Sequence, residues 1–534
     1  MWSNTLPLCI AFCRRKEACA VEMRLVRESL ALEQPMGAGS SQAVVEGEIT
    51  LPGGLREEAR VLHCGAMTVV DSVEALQDRA SVTGKVVFHT LYTQGDPKRV
   101  NAIEATADFT HIMELPGAQP RNQCRVEAQV EHAEAAAQGG RLSMRAVVRC
   151  IGRALALQPV EAITGIYGVE GVESRAREAS VKRTVATGET EVLLREEFAL
   201  PEGLQIRETL YGTAQPQTVE VTGGMGKAGM TGQVMLEVAH ATDMPGKPVV
   251  LTRHTMPFEQ TVEMNGEDGD ELRGRVRILD VAVASQEGPE GERTLRAEVL
   301  LALHAYADRR ENVTLLDDAY TTKGDDLHLN VREVRYRAED HREQAAESGK
   351  ALLMLPEGSP AVRGVLCAFA TPVMTGWEQV GGRLTVEGML EITLLYMTDD
   401  SEAPVSVRQE EPFRVTFAAQ AGEGDELLLS LSDVDASAIT SDRVEMRYVM
   451  RVTISGMESA AARLVTEVLP VAATAQEGSI ILYFTQPGET LWDIARRYRV
   501  PVREVKALNP ALTGDPMPGQ GIVVWRRCPE AATV

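Results

Sequence analysis

Along most of the chain apolar and polar residues alternate with a period of two, the pattern of strands that bury one face. Val86, Phe88 and Thr90 stand against Lys85, Val87 and His89, and Val234, Leu236 and Val238 against Gln233, Met235 and Glu237. Residues 142–148, 295–303 and 444–454 alternate likewise, and turns such as Gln94-Gly95-Asp96-Pro97, Met244-Pro245-Gly246 and Asp399-Asp400-Ser401 punctuate them. The expectation is a multidomain, mainly β protein built of sandwich-like antiparallel units.

The alternation is threefold repeated. Leu51-Pro52-Gly53-Gly54, Leu200-Pro201-Glu202-Gly203 and Leu355-Pro356-Glu357-Gly358 read as openings, followed by Val61-Leu62, Thr209-Leu210 and Val365-Leu366. Gly84, Gly232 and Gly388 come 33, 32 and 33 residues after the opening leucines. Eight residues past each glycine stands Tyr92, His240 or Tyr396, and 25, 26 and 25 residues past it stands Phe109, Phe258 or Phe413. The period is that of a domain rather than of a solenoid repeat.

Only near the C-terminus does the period change. Residues 480–484 form a short apolar strand that runs into the turn Gln486-Pro487-Gly488-Glu489. Thr490 is placed to cap a helix, with Asp493 three residues on to return the bond, and Leu491, Ile494, Ala495 and Tyr498 make one stripe. Pro501 starts a second helix with Val502, Val505 and Leu508 on one face, Asn509-Pro510 ends it, and 522–525 is a closing strand. At these residues, from Gln486-Pro487-Gly488-Glu489-Thr490-Leu491-Trp492 through Leu508-Asn509-Pro510 to Pro518-Gly519-Gln520, the segment resembles a LysM domain. It departs from that family at Glu489, usually Asp, and at Arg499, usually Gly; an Arg there must adopt a left-handed conformation or end the helix differently. The resemblance implies a groove for N-acetylglucosamine-containing glycan such as peptidoglycan, formed by Pro487, Gly488, Glu489, Thr490 and Leu491 with Asn509, Pro510, Ala511 and Leu512.

Val45-Glu46-Gly47-Glu48-Ile49 with Leu51-Pro52, the Val-x-Gly starts at Val82 and Val386, and the pairs Leu91-Tyr92 and Leu395-Tyr396 resemble the SPOCS (spore coat assembly) repeat of endospore-forming bacteria. That family's proline-aspartate opening is here Pro52-Gly53, Pro201-Glu202 and Pro356-Glu357, and His240 replaces the middle tyrosine. SPOCS repeats followed by one C-terminal LysM domain are the arrangement of SipL-type spore coat morphogenesis proteins. The resemblance implies a mother-cell protein at the forespore surface that partners a coat basement-layer ATPase of the SpoIVA type through its LysM domain.

The domain plan is therefore a misread N-terminal extension at 1–22 with Met23 as the true start, SPOCS-like repeats at 40–155, 185–310 and 351–458, and a LysM domain at 478–527. Residues 331–350, almost wholly charged and small, read as an exposed connector, and 461–479 as a tether unless Leu464-Val465 and Val468-Leu469 continue a strand. A net charge of −23 argues against nucleic acid or an anionic membrane as direct partner. No stretch reaches transmembrane length. Eight scattered cysteines, with no pair at metal-ligand spacing, point to a reducing compartment.

Chemistry is sparse. The run Gly223-Gly224-Met225-Gly226-Lys227-Ala228-Gly229 lacks the phosphate-loop glycine, having Val221, and its hydroxyl, having Ala228, so it reads as a strand connection. His63-Cys64 reads as a buried pair, and Glu267-Asp268-Gly269-Asp270-Glu271 as a solvated turn rather than a calcium loop. No catalytic residue, metal site or cofactor is expected. Two functions remain: a non-enzymatic coat scaffold and adaptor, or a peptidoglycan-binding cell-envelope protein with a hydrolytic role.

Overall fold

The computed structural model describes residues 23–52, 58–201, 203–224, 226–287, 293–472 and 478–526. The proposed N-terminal extension, Gly53-Gly54, Glu202, Met225, residues 473–477 of the expected tether, Arg527 and Cys528 lie outside them.

The alternating segments become six strands per unit. In the first, β1 (Arg24–Thr50), β6 (Arg141–Tyr167) and β5 (Gln123–Gln138) form one antiparallel sheet, in the order β1-β6-β5. Strands β2 (Ala59–Leu76), β3 (Arg79–Gln94) and β4 (Asp96–Glu114) form a second, in the order β2-β3-β4. β2 lies alongside β5 and β1 alongside β4, so the sheets face each other over Val82, Phe88, Phe109, Leu142, Met144 and Val148.

The topology recurs twice. The second unit has β7 (Val172–Ala199), β8 (Ile206–Gly224), β9 (Lys227–Thr242), β10 (Val249–Glu263), β11 (Glu271–Glu287) and β12 (Arg293–Thr321), in sheets β11-β12-β7 and β10-β9-β8. The third has β13 (Asp326–Met354), β14 (Val362–Val380), β15 (Arg383–Thr398), β16 (Val405–Phe417), β17 (Glu426–Thr440) and β18 (Arg443–Val471), in sheets β13-β18-β17 and β14-β15-β16.

The repeated stations mark one packing device. Gly84, Gly232 and Gly388 sit on the central strand and pair across to Phe109, Phe258 and Phe413. A Cβ on these glycines would come within 2.3, 2.2 and 2.1 Å of the carbonyl oxygens of Val69, Thr218 and Val373 on the other neighbouring strand. Each neighbour bulges there, between Val70 and Ser72, Pro216 and Val219, and Met374 and Gly376. The glycine thus admits the bulge, and the phenylalanine ring lies against the side the missing side chain leaves bare.

Leu51, Leu200 and Leu355 close the first strand of each unit instead of opening the unit. That first strand and the last are longer than the sandwich. Both continue past irregularities between Pro35 and Gly37, Ala307 and Asp308, and Arg337 and Glu339 as two-stranded ribbons. The three ribbons pack on one another through Leu30, Leu32, Val160, Val181, Val313, Leu315, Val334, Tyr336 and Leu464. Farther out, Ile163, Ile166, Leu316, Leu327, Val465 and Val468 continue the shared core.

Residues 331–350 are therefore not a connector but the body of β13, paired to β18 from end to end. Composition misleads because a ribbon strand buries only some of its side chains, and its central charge is paired in the interior. Glu33, Lys182 and Arg337 stand eighteen residues before Leu51, Leu200 and Leu355. All three are buried. Arg337 reaches Glu33 at 2.9 Å, Asp308 at 2.8 Å and Asp340 at 3.3 Å, while Lys182 holds Glu271 at 2.6 Å and Glu339 at 3.1 Å. Burial pushes the Asp308 carboxyl up, but Arg273 and Arg337 outweigh it and hold it at about 2. The repeats thus differ where they meet, and three copies of one charge there would repel.

The units also meet through Leu62, Leu91, Tyr211, Val249, Leu366 and Cys367. Beside them lies a cavity of about 510 Å³ lined from all three units, whose Arg253, Arg275 and Arg408 are neutralised by Glu237, Glu127 and Glu391 at 2.8, 3.2 and 2.9 Å.

Candidate functional site: the C-terminal module and its seat

The C-terminal segment folds as strand, helix, helix, strand: β19 (Ser479–Phe484), α1 (Leu491–Tyr498), α2 (Val502–Leu508) and β20 (Gly521–Arg526). Leu491, Ile494, Ala495, Val505, Ile522 and Val524 form its core. The capping box is present. Thr490 Oγ1 accepts from the Asp493 N–H at 3.3 Å, and the Asp493 carboxylate accepts from the Thr490 N–H at 2.9 Å.

The expected groove residues divide into two kinds. Pro487, Gly488, Pro510 and Ala511 are exposed. The others build the module. Leu491 is buried, and its N–H donates to Asp515 at 3.0 Å, which ties the loop after α2 to the start of α1. Thr490 is the cap, and Leu512 packs partly against the core. Glu489 accepts from Tyr483 Oη at 2.7 Å and from the Gln486 N–H at 2.8 Å, and pairs with Arg497 at 2.6 Å. These donors hold its carboxyl below the usual range. The longer Glu reaches Tyr483 and Arg497 where the family has Asp.

Asn509 is likewise a fastener. Its Nδ2 donates to the carbonyls of Val505 and Val523, and its Oδ1 accepts from the Val523 N–H, each at 2.8 Å.

Arg499 adopts the left-handed conformation, with φ 53° and ψ 47°. Its guanidinium explains why glycine is not used there. Nε donates to the Thr321 carbonyl at 2.8 Å, and Nη2 donates to Thr321 Oγ1 and the Gly324 carbonyl, both at 2.7 Å. Trp492 Nε1 and Arg496 Nη1 both donate to Asp318 Oδ2, at 2.8 and 2.7 Å. Tyr320 inserts into the module core, edge-on to Trp492 at 5.1 Å, and donates its hydroxyl to the Val500 carbonyl at 2.8 Å. Arg175 lies over the Trp492 ring, 5.3 Å from its centroid. The module is seated on the ribbon tip between β12 and β13. Nothing in the sequence around Asp318, Tyr320, Thr321 and Gly324 marks them as the seat; Arg499 in place of the family glycine is the one signal that could have led to it.

The other candidate chemistry is occupied structurally. The run 223–229 is the β8–β9 turn. His63 stacks on Phe369 of the third unit at 3.9 Å, and burial raises the Cys64 thiol, which disfavours the nucleophilic thiolate. Asp270 is held by Arg309 at 2.8 Å and Glu271 by Lys182, so the acidic turn is an ion-pair site. Among the described residues no cluster of His, Cys, Asp or Glu could hold a metal ion. Among them no helix is long and apolar enough to cross a membrane.

These features define a three-unit β body that carries one seated LysM-type binding module. Residues 59–138, which are β2 through β5, match the family model described as SipL, SPOCS domain, and residues 483–525 match the LysM domain model. The chain therefore has the SipL-type architecture, an SPOCS domain followed by a C-terminal LysM domain. Both are binding or adaptor domain types rather than catalytic ones. The comparisons with curated proteins and with solved structures found no match.

Proposed function

We propose that this protein is a non-enzymatic sporulation scaffold that helps assemble the spore coat around the forespore and docks a coat basement-layer ATPase of the SpoIVA type through its LysM domain. The observation that carries this reading is the seat. The body grips Trp492, Arg496 and Arg499 of the module and leaves Pro487, Gly488, Pro510 and Ala511 exposed. A binding module fixed in orientation on a large body transmits position, which is what an adaptor must do, whereas a tethered module only adds local concentration. The seat buries part of the module in the ribbon tip and so adds protein surface to whatever the partner meets.

The exposed groove also supports the second reading, a cell-envelope protein that holds peptidoglycan. Calorimetric titration of the full chain with the purified ATPase, and in parallel with chitin oligosaccharides and peptidoglycan fragments, separates the two. The adaptor reading expects a micromolar or tighter complex with the ATPase, and a fluorescent fusion that rings the forespore in sporulating mother cells. Glycan binding without ATPase binding puts the envelope reading in its place.

A further inference from the structure

Strands β5, β11 and β17 hold the same place in the three units, each paired with the last strand of its own unit. Gln129, Arg277 and Ser430 on them pair with Arg149, Ala302 and Arg451. Those in turn pair with Gln42, Glu191 and Ala346, each nine residues before Leu51, Leu200 or Leu355. The three residues are therefore one position of the repeat. Their neighbours Ala128 and Val130, Val276 and Ile278, and Leu429 and Leu431 pack into the cores of their own units. By alternation Gln129, Arg277 and Ser430 turn outward, and all three line the cavity of about 510 Å³ where the units meet.

Elsewhere the units set charge against charge, as Arg275 does with Glu127 at 3.2 Å and Arg337 with Glu33 at 2.9 Å. At the Arg277 position they do not, because Gln129 and Ser430 are neutral. The carboxylate that approaches Arg277, that of Glu189, stays at 4.0 Å and also meets His304 at 3.4 Å. Arg277 Nη1 donates to the Val70 carbonyl at 2.8 Å, and its Nε is buried without an acceptor. Burial, and after it the neighbouring Arg275, pull its pKa down. A guanidinium nonetheless keeps its proton, so the charge stays in place and costs stability until something negative joins it.

The wall around Arg277 has donors to spare. The side chains of Ser430, and of Thr213 and Gln215 on β8, make no hydrogen bond among the described residues, and Gln129 spends one amide N–H on the Leu429 carbonyl at 2.6 Å and retains the other. Gln215 and Asp433 on the same wall are exposed, so the cavity reaches solvent. Its volume lies in the range of small-molecule sites. We propose that this cavity binds a small hydroxylated organic anion. Arg277 takes its phosphate or carboxylate head, Ser430 and the second Gln129 N–H complete the donors, and Thr213 and Gln215 meet its hydroxyls. No residue of the C-terminal module lines the cavity, and the inference stands whichever ligand the module takes.

Calorimetric titration of the full chain with glucose 6-phosphate, glucuronate and glucose tests this. One of the two oxyanions should bind at least about tenfold more tightly than glucose, which lacks the head, and the tighter of the two tells which head the site prefers. Arg277→Gln should remove about tenfold or more of that affinity. Ser430→Asp supplies the missing carboxylate from within the protein, so it should raise the melting temperature without ligand and abolish binding of the anion. Absence of binding, equal binding of glucose, or full affinity retained in either variant overturns the proposal. The Ser430→Asp titration decides the matter even where Arg277→Gln does not fold.

Discussion

Arg499 shows how one residue can be costly for its own module and useful to the whole. A non-glycine residue in the left-handed region costs about 1 kcal/mol or more, which three hydrogen bonds to Thr321 and Gly324 offset only when the module is seated. Arg499→Gly should therefore raise the melting temperature of the isolated 478–526 module and weaken its seat in the full chain. Differential scanning calorimetry on both forms reads the opposite signs. Asn509 carries the complementary lesson. Placed in the groove by family resemblance, it joins α2 to β20 through three bonds. Asn509→Ala should destabilise the module by roughly 1 to 3 kcal/mol in denaturant titration, since it leaves the Val523 main-chain groups without their partner.

At the scale of an element, the glycine of each Val-x-Gly start is there for its neighbour's bulge and not for a turn. Gly388→Ala places a Cβ 2.1 Å from the Val373 carbonyl oxygen and 2.8 Å from the Phe413 ring. Neither the strand backbone nor the buried ring can retreat without opening the sandwich. Chemical denaturation should show a loss of about 3 kcal/mol or more, well beyond the propensity change alone, which would favour alanine. Gly232→Ala should act likewise, because the Thr218 carbonyl is equally close at 2.2 Å. His240 belongs to the same scale. It fills the tyrosine station of the second unit by exchanging hydrogen bonds with Thr209 at 3.2 Å and Thr252 at 2.9 Å, while Tyr396 of the third unit donates to the Pro360 carbonyl at 3.2 Å.

For the whole molecule, the contacts between units should make stability sensitive to mild acid. His63 stacks on Phe369 and His89 on Tyr211, each across a unit boundary. Burial lowers His63 to about 3, helped by Arg408, and lowers His89 to about 4. Both remain neutral in the folded protein at pH values where the unfolded chain, titrating near 6.5, takes up a proton. Their contribution is intact above pH 6.5 and is lost as pH falls from there toward 4, on the order of 3 kcal/mol for each histidine. A melting-temperature series from pH 7.5 to 4 should fall through that window, and His89→Gln should flatten part of the slope. Asp308 is shifted in the same direction but from a lower starting value, because Arg273 and Arg337 favour its charged form, so it should matter only in stronger acid, its stabilising charge lost as pH falls below about 4 toward 2.

Sequence alone determined the strands, the three repeats and the module, because period-two alternation, cap residues and glycine spacing are local rules that any tertiary arrangement must obey. It likewise placed Thr490 and Asp493 as a reciprocal cap, which the structure contains. Tertiary structure decided what those elements touch. Residues 331–350 look unable to order themselves because composition counts charges without their partners, and Arg337 of the third unit meets Glu33 of the first and Asp308 of the second. The same holds for the seat of the module: nothing near Asp318 or Tyr320 in the chain marks them, since a hydrogen bond to Trp492 or Val500 is a fact of distance in space.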